Sequence, residues 1–251
     1  TLGFIAEITY KTVKDDPFKA SSLIIYPDNE KACQASSLLR SLPVAAVELM
    51  DRAGLKTMEN AEGIPPYIKD LSDKACSLLV QTNADSKEKL YQQIDQITNS
   101  IESIPTELPF SFTDDPKAYN AYWKIRKGLY PSVGAMRQTG TTVIIEDVTF
   151  PIPRLAEATS ALQELFTKYN YDEAVIFGHA LEGNIHFVFN QDFSSQTEID
   201  RYERFMDELA VMVVDRFDGS LKAEHGTGRN MAPYVEKQWG EEAFDIMKRI
   251  K

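Results

Sequence analysis

The three histidines of this 251-residue chain stand in two short segments that also contain glycine and acidic or amide residues. His179 and His186 lie seven residues apart within residues 178–186, and His225 directly follows Glu224. Imidazole is the commonest metal-ligand side chain and the one whose ordinary pKa lies nearest neutral pH. This pattern predicts a metal centre.

The sequence around the first two histidines predicts a β-hairpin. Residues 171–177 and 187–190 are runs rich in β-branched and aromatic residues, which is typical of strands. Residues 181–184 between them contain turn-forming types, including a glycine that can take a positive φ. Each histidine would then end a strand, and directly opposed side chains there lie about 4.5–5.5 Å apart at Cβ. Both rings could hold one ion.

A metal centre needs a third ligand, and Glu224 is the best candidate in the sequence. Two histidines and one glutamate leave one position open on a zinc-like ion, which is the arrangement of a catalytic site and not of a structural one. The alternative is that the two histidines only cap a hairpin at the surface.

Composition restricts the classes of function. A hydrophobic content of 43% with 26% charged residues describes an ordinary globular protein of one or two domains. The formal net charge of −11 argues against a general nucleic-acid-binding surface and disfavours adhesion to anionic lipid. An anionic substrate would need a local cation. The two cysteines, Cys33 and Cys76, lack metal-ligand spacing and are expected to be reduced, buried thiols.

The second half of the chain shows a regular order of elements. Residues 143–150 read as a strand, 153–169 as a helix, the hairpin follows, and a capping box at Ser195 opens another helix. With a last strand at 221–223, the order is β-α-β-β-α-β. We therefore predict an α+β fold, a ferredoxin-like (split βαβ) antiparallel sheet with helices on one face. Bringing Glu224 to the histidines requires that the last strand be short or irregular.

The first half reads as a weaker copy of the same order, which predicts a duplicated fold. Its expected strands are residues 4–12, 23–26, 44–47 and 76–81, with a helix over 48–59. No chemistry is predicted there.

Within the region 114–137, residues 116–130 predict a helix that is aromatic and locally basic. The region concentrates positive charge in an acidic chain through Lys124, Arg126, Lys127 and Arg137. A guanidinium binds a carboxylate with two parallel hydrogen bonds, so this helix is a candidate anion clamp. The alternative is a solvated basic face.

Two motifs together resemble the C-terminal domain of FAD-linked oxidases, the flavin dehydrogenases of D-lactate, glycolate and D-2-hydroxyglutarate. They are residues 178–186 and residues 224–228. Residues 1–5, 123–126 and 146–151 are also similar to segments of those proteins. The resemblance implies that residues 1–12 end an FAD-binding domain and that 13–251 form the substrate (cap) domain of a longer polypeptide, cut at both ends.

The resemblance also implies roles for individual residues. His179, His186 and Glu224 would hold a divalent metal, zinc by preference, which binds the hydroxyl and a carboxylate oxygen of a small anionic D-2-hydroxy acid. His225 would be the catalytic base that takes the hydroxyl proton as C2 delivers hydride to the flavin. D-2-hydroxyglutarate is the first expected substrate and D-lactate the second.

Arg126 would clamp a substrate carboxylate, and Asn184 would contact the FAD. Most FAD contacts are expected from the FAD-binding domain. Residues 140–147 and 177–184 are most similar to long bacterial members, in which a 4Fe-4S domain follows downstream. These members imply a cytoplasmic protein, with a peripheral position on the inner membrane as the alternative, and leave the electron acceptor open.

The chain departs from the family pattern at three places. Leu181-Glu182 replaces a Gly-Asp pair, Ile145 replaces a lysine, and Val188 replaces a frequent polar residue. These departures put recognition of the distal end of the substrate in question. Arg137 is a candidate substitute cation there, and the alternative is an arginine in a surface loop.

Two other functions are compatible with the residues alone. A flavin-independent metal hydrolase could use His179, His186 and Glu224, with His225 as base. A non-catalytic regulatory domain with the ferredoxin-like fold (a plait domain) would need none of these residues for chemistry.

Overall fold

The computed structural model describes residues 2–251, with Met136 described by its backbone only, and within this range it has six β-strands and eight α-helices. The strands are β1 (Phe18–Tyr26), β2 (Ala46–Asp51), β3 (Cys76–Ala84), β4 (Thr142–Thr149), β5 (Val175–His179) and β6 (Asn184–Gln191). The helices are α1 (Asn29–Leu39), α2 (Arg52–Met58), α3 (Lys87–Ile101), α4 (Pro116–Met136), α5 (Leu155–Lys168), α6 (Gln196–Val211), α7 (Val235–Trp239) and α8 (Glu241–Ile250). None of the helices within residues 2–251 combines the length and the apolar character that a bilayer span requires.

All six strands form one antiparallel sheet in the order β1-β3-β2-β5-β6-β4. The units β1-α1-β2-β3-α3 and β4-α5-β5-β6-α6 have the same connectivity, with the third strand in the middle of each unit. The units meet where β2 pairs with β5. The predicted α+β antiparallel class is confirmed, and the duplicated connectivity agrees with the expectation of a weaker copy in the first half.

In the predicted β-α-β-β-α-β order, a fourth strand follows the second helix of each unit. In the structure this strand is reduced to a single bridge in both units. Thr113 pairs with Ser21 of β1, and Ser220 pairs with Thr149 of β4. The predicted last strand at 221–223 is therefore wrong. The backbone N–H of Leu221 donates to the side chain of Gln238 instead of to a strand. An irregular segment in place of the last strand is what the sequence analysis required for Glu224 to reach the histidines.

The sheet is covered on both faces. Helices α1, α3, α5 and α6 pack on one face in the larger apolar cluster. Helices α2 and α4 cover the opposite face, where Leu55, Ile125 and Leu129 are fully buried. The prediction of helices on one face holds for α1, α3, α5 and α6 of the two repeated units. It did not include the layer that α2 and α4 form on the opposite face. The strands require this second layer because consecutive residues such as Ile24 and Ile25 are both buried.

Two predicted elements of the first half are wrong. The expected strand at 4–12 has no regular secondary structure, and its apolar side chains are exposed; Thr1 lies outside the described residues. The expected helix at 48–59 begins at Arg52, because strand β2 continues to Asp51. Asp51 caps that helix by accepting from the backbone N–H of Gly54 at 2.8 Å. Ladders with β3 and β5 on both sides of β2 outweigh the local helical pattern.

Candidate active site

Four polar side chains project from the sheet toward the layer of α4, near the ends of neighbouring strands. Glu48 of β2 is the register partner of His179 of β5. His186 of β6 is the partner of Asp147 of β4. Alternate residues of a strand share a face, and this face carries the apolar cluster under α4. The sheet register therefore gathers these groups from four strands.

The two histidines are diagonal neighbours on the predicted hairpin and not directly opposed. His179 pairs with Asn184, while His186 pairs with Phe177. The register differs from the prediction because a 3-10 turn takes up Ala180–Glu182 before the second strand starts. Diagonal placement still puts the two rings close, with centroids 5.2 Å apart and planes at 89°.

Glu224 completes a three-residue cluster with the histidines. Its Oε1 lies 3.3 Å from His179 Nε2 and 3.2 Å from His186 Nε2. One ligand atom from each of the three residues falls within 4.8 Å of the other two. The donor set of two imidazole nitrogens and one carboxylate oxygen fits a zinc-like ion with an open position.

Burial sets the protonation of His186. Its side chain is only 3% exposed, and burial, together with the nearby His179 and His225, lowers its pKa to about 4. A histidine binds metal through a neutral ring nitrogen, so His186 is in the form that a ligand needs. For His179, the hydrogen bond with Glu48 raises the pKa.

Glu48 joins the cluster from the first half of the chain, where the sequence predicted no chemistry. Its Oε1 lies 2.8 Å from His179 Nδ1, and its Oε2 accepts from Arg126 Nε at 2.7 Å. Burial acts to raise the pKa of Glu48, but the His179 hydrogen bond and the Arg126 charge together hold it below its usual value. The available signal was one glutamate within an otherwise apolar stretch, Ala46–Met50.

Asp147 anchors the segment that carries Glu224 and His225. Its Oδ2 accepts from the backbone N–H of Glu224 at 2.6 Å and from that of His225 at 3.0 Å. Burial favours a higher pKa for Asp147, but these two amide hydrogen bonds, together with the nearby His225 and the charge of Lys222, keep the pKa below the ordinary value. Asp147, His186 and His225 also form a second group whose ligand atoms lie within 4.8 Å of one another.

His225 stands beside the three-residue cluster. Its ring stacks on His186 with centroids 4.8 Å apart and planes at 16°, and its Nδ1 lies 3.9 Å from Asp147 Oδ1. The side chain is 34% exposed, so a ligand at the site could reach it.

The structure brings one of the two predicted arginines to the site. Arg126 of α4 bonds to Glu48, and its guanidinium lies 4.5 Å above the ring centroid of Phe177. Arg137 is exposed after the end of α4, and its guanidinium donates to the carbonyl of Thr141. Its geometry agrees with the alternative of a surface arginine.

A cation that the sequence did not single out lies near the site. Lys222 Nζ is 3.4 Å from Glu146 Oε2 and 3.6 Å from Asp147 Oδ1. It is one residue from the 223–229 motif, but nothing in the sequence alone indicated its partners.

Asn184 lies at the start of β6 and is 6% exposed. Its Oδ1 is buried and has no hydrogen-bond partner among the described residues, which leaves this acceptor unsatisfied. The two departures Ile145 and Val188 are register partners in the apolar cluster under α4. Val188 is fully buried, so packing against α4 accounts for an apolar residue there.

A family model described as "FAD linked oxidases, C-terminal domain" matches residues 16–251. The chain is 30% identical over 258 residues to "D-lactate dehydrogenase [cytochrome], mitochondrial" of Arabidopsis thaliana, covering 100% of this chain and 43% of that protein. It is 25% identical to "Glycolate oxidase subunit GlcD" of Bacillus subtilis, covering 100% and 52%. It is 21% identical to "D-2-hydroxyglutarate dehydrogenase" of Stutzerimonas stutzeri, covering 100% and 53%. The chain spans about half the length of these relatives.

Solved structures share the fold at low sequence identity. The 4-ethylphenol oxidase of Gulosibacter chungangensis, in an isoeugenol complex, superposes with a TM-score of 0.63 at 11% identity, covering 94% of this chain and 51% of that chain. An alkyldihydroxyacetonephosphate synthase gives a TM-score of 0.58 at 11% identity, covering 94% and 42%. At this identity the likeness concerns the fold alone.

Proposed function

Because the chain belongs to the C-terminal domain family of FAD-linked oxidases, we propose that it forms the substrate side of the active site of an FAD-dependent dehydrogenase of D-2-hydroxy acids. The observation that carries the proposal is the contact of Glu224 Oε1 with both histidine Nε2 atoms, at 3.2 and 3.3 Å, with His225 stacked beside them. This arrangement supports two-histidine, one-carboxylate metal chemistry next to a candidate base.

His179, His186 and Glu224 would hold the metal, for which zinc is the first choice because of the nitrogen-rich donor set. A bound divalent ion lowers the pKa of a coordinated hydroxyl and stabilises the charge that develops on its oxygen. The neutral state of His186 and the hydrogen bond from His179 to Glu48 support this assignment.

His225 is the proposed base. It would accept the proton of the substrate hydroxyl, while the electron pair of the C2–H bond leaves as hydride and a C=O bond forms. FAD, when bound, supplies the acceptor for that hydride. Asp147 holds the backbone of residues 224 and 225, so one buried carboxylate sets the positions of Glu224 and His225 together.

Arg126 would clamp the substrate carboxylate. Its Nε–H is committed to Glu48, and its remaining N–H groups are available for a ligand oxygen. Asn184, with its unpartnered Oδ1, is proposed to contact the FAD. Residues 1–12 are proposed to lead out of an FAD-binding domain that supplies the other flavin contacts, and the iron–sulfur domain stays a prediction.

Among the 2-hydroxy acids, we place a short monocarboxylate such as D-lactate before D-2-hydroxyglutarate. This reverses the order expected from the sequence. Arg137, the expected cation for a second carboxylate, bonds to Thr141 in an exposed turn. Ile145 and Val188 leave the adjoining part of β4 and β6 apolar.

The metal is tested by elemental analysis of the purified chain, wild type against His186→Ala and His225→Ala. Near-stoichiometric zinc or manganese is expected in wild type and His225→Ala and is expected to be lost in His186→Ala. His225→Ala is the matched control, because it removes an imidazole at the same site without removing a proposed ligand.

Activity is tested in the polypeptide that carries this chain together with its FAD-binding domain, with a panel of D-2-hydroxy acids. His225→Ala is expected to lower kcat by about 10²–10⁴-fold. Metal-dependent hydrolysis of an ester or amide substrate in the absence of flavin would favour the hydrolase. Unchanged turnover and metal content in all variants would favour the non-catalytic plait.

A further inference from the structure

We propose that Glu48 is a positioning residue that fixes the ring of His179 and the guanidinium of Arg126 together, one with each carboxylate oxygen. The inference rests on the proposed function, since it gives Glu48 a part in the same metal site. Neither its residue type nor its place in the first half of the chain marked it as functional.

The contacts of Glu48 are short, and the residue is buried. Oε1 lies 2.8 Å from His179 Nδ1 and Oε2 lies 2.7 Å from Arg126 Nε, with the residue only 6% exposed. The backbone supports the first contact because Glu48 and His179 are register partners in β2 and β5. Each oxygen therefore has its own donor, and the residue has little freedom to turn.

The first contact selects the tautomer of His179. An ionised carboxylate only accepts hydrogen bonds, so the proton of a neutral His179 ring must lie on Nδ1. Its Nε2 then presents a lone pair toward Glu224, 3.3 Å away. This is the form that a metal ligand requires, and carboxylates on the far nitrogen of ligating histidines serve this purpose widely.

The second contact connects the sheet to helix α4. Arg126 donates from Nε to Glu48 while its guanidinium lies over the Phe177 ring at 4.5 Å. With Nε engaged by Glu48, the Nη N–H groups of Arg126 remain for a ligand oxygen. The ring that would bind metal and the arginine that would bind the substrate carboxylate thus take their positions from one side chain.

Substitution by glutamine makes the inference testable. A Glu48→Gln side chain has one oxygen and one NH₂ group for two donors. Hydrogen bonds to a charged guanidinium are stronger than those to a neutral ring N–H, so the amide oxygen turns to Arg126. Its NH₂ group then faces His179 Nδ1, which moves the ring proton to Nε2 and blocks the metal position.

The tautomer is read by long-range ¹H–¹⁵N correlation of the metal-free, ¹⁵N-histidine-labelled chain, and zinc affinity is measured by titration. Wild type is expected to show His179 protonated on Nδ1. Glu48→Gln is expected to show the Nε2–H form and a zinc affinity about 10–100-fold lower. The matched control is Glu59→Gln, which removes a glutamate that pairs with Arg52 at 3.7 Å, away from the histidines.

A rescue variant separates positioning from general damage. In Glu48→Gln with Arg126→Met, the amide oxygen loses its competing donor and can accept from His179 Nδ1. The Nδ1–H tautomer is expected to return. If the single variant keeps the wild-type tautomer and a zinc affinity within twofold of wild type, the inference about Glu48 is wrong and the proposed function stands. If wild type binds no zinc, the proposed metal site fails, and the tautomers of the two variants still decide the role of Glu48.

Discussion

At the scale of single residues, burial is what makes His186 a suitable ligand. It is the most buried of the three histidines, and a charged ring there would lie beside two other imidazoles. Its Nδ1 has no hydrogen-bond partner among the described residues. A neutral imidazole is tolerated in this buried position, whereas a protonated ring would lose the hydration of its charge. Protonation of His186 therefore makes the stability of the fold depend on pH.

We predict that the metal-free chain loses stability from His186 as the pH falls from about 6.5 to about 4. In the folded chain the pKa of His186 is lowered to about 4 from an ordinary value of 6.5. Within that window the unfolded state binds the proton and the folded state does not, so the free energy of unfolding decreases as the pH falls, by up to about 3 kcal/mol.

The measurement is urea unfolding of wild type and His186→Asn across this pH range. The raised pKa of His179 acts in the opposite direction and is present in both proteins, so the difference between their curves isolates His186. Parallel curves between pH 4 and 6.5 would show that His186 takes up its proton equally in the folded and unfolded states, so that folding does not lower its pKa.

At the scale of elements, the turn between β5 and β6 sets the spacing of the two histidines. Gly183 ends the 3-10 turn with φ 66°, and its carbonyl accepts from the backbone N–H of Phe150 at 2.9 Å. A Cβ at this position would lie 2.1 Å from the carbonyl oxygen of Phe150. Both the positive φ and the close approach of the next segment require glycine.

Gly183→Ala is therefore expected to destabilise the chain by about 1–3 kcal/mol from backbone strain, with more from the contact with Phe150. It is also expected to weaken zinc binding, because the histidines on either side of the turn are displaced. Gly63→Ala is the matched control, since Gly63 has φ 79° and no heavy atom within 4 Å of a built Cβ. Equal destabilisation by the two variants, with unchanged zinc affinity, would contradict this account.

The elements also show what the sequence could predict. Helix α4 and the capped helix after Ser195 follow local rules, and both were predicted. The end of β2 and the loss of the last strand depend on ladder partners that are distant in sequence, so local patterns misplaced them. The same limit hid Glu48, which was assigned to a helix and lies opposite His179 only because β2 pairs with β5.

For the site, residue type and spacing were sufficient to select the cluster. His179, His186 and Glu224 were chosen from the sequence, and the fold brings them together. Arg137 was chosen for its charge alone, and charge does not specify position. Side chains that hold the cluster, such as Asp147, could not be selected because their roles depend on backbone groups far along the chain.

At the scale of the whole molecule, the site belongs to both repeated units. The second unit supplies the histidines and Asp147, the first supplies Glu48, and Arg126 comes from α4, which connects the two. Glu48 lies beside His179 because β2 pairs with β5 where the two units meet. Neither unit alone contains all of these groups, so the site is formed by both units together.

The segment before β1 is the part of the chain least tied to this architecture. Residues 2–16 have no regular secondary structure, Phe4 is fully exposed, and Val13 is 91% exposed. Exposed apolar side chains in one segment are typical of an interaction surface, and residues 1–12 are proposed to belong with an FAD-binding domain. Within residues 2–251, however, these side chains contribute little buried area.

We therefore predict that a chain starting at Lys14 keeps the fold and the site. Its free energy of unfolding is expected to stay within about 0.5 kcal/mol of wild type, because substitutions away from buried features have effects of that size. Zinc affinity is also expected to be unchanged. Leu23→Ala in β1 is the contrasting variant, since Leu23 is 6% exposed and its truncation should destabilise the chain by about 2–5 kcal/mol. Urea unfolding of the three chains makes the comparison, and a loss above about 1 kcal/mol on deletion would show that the segment packs on this domain.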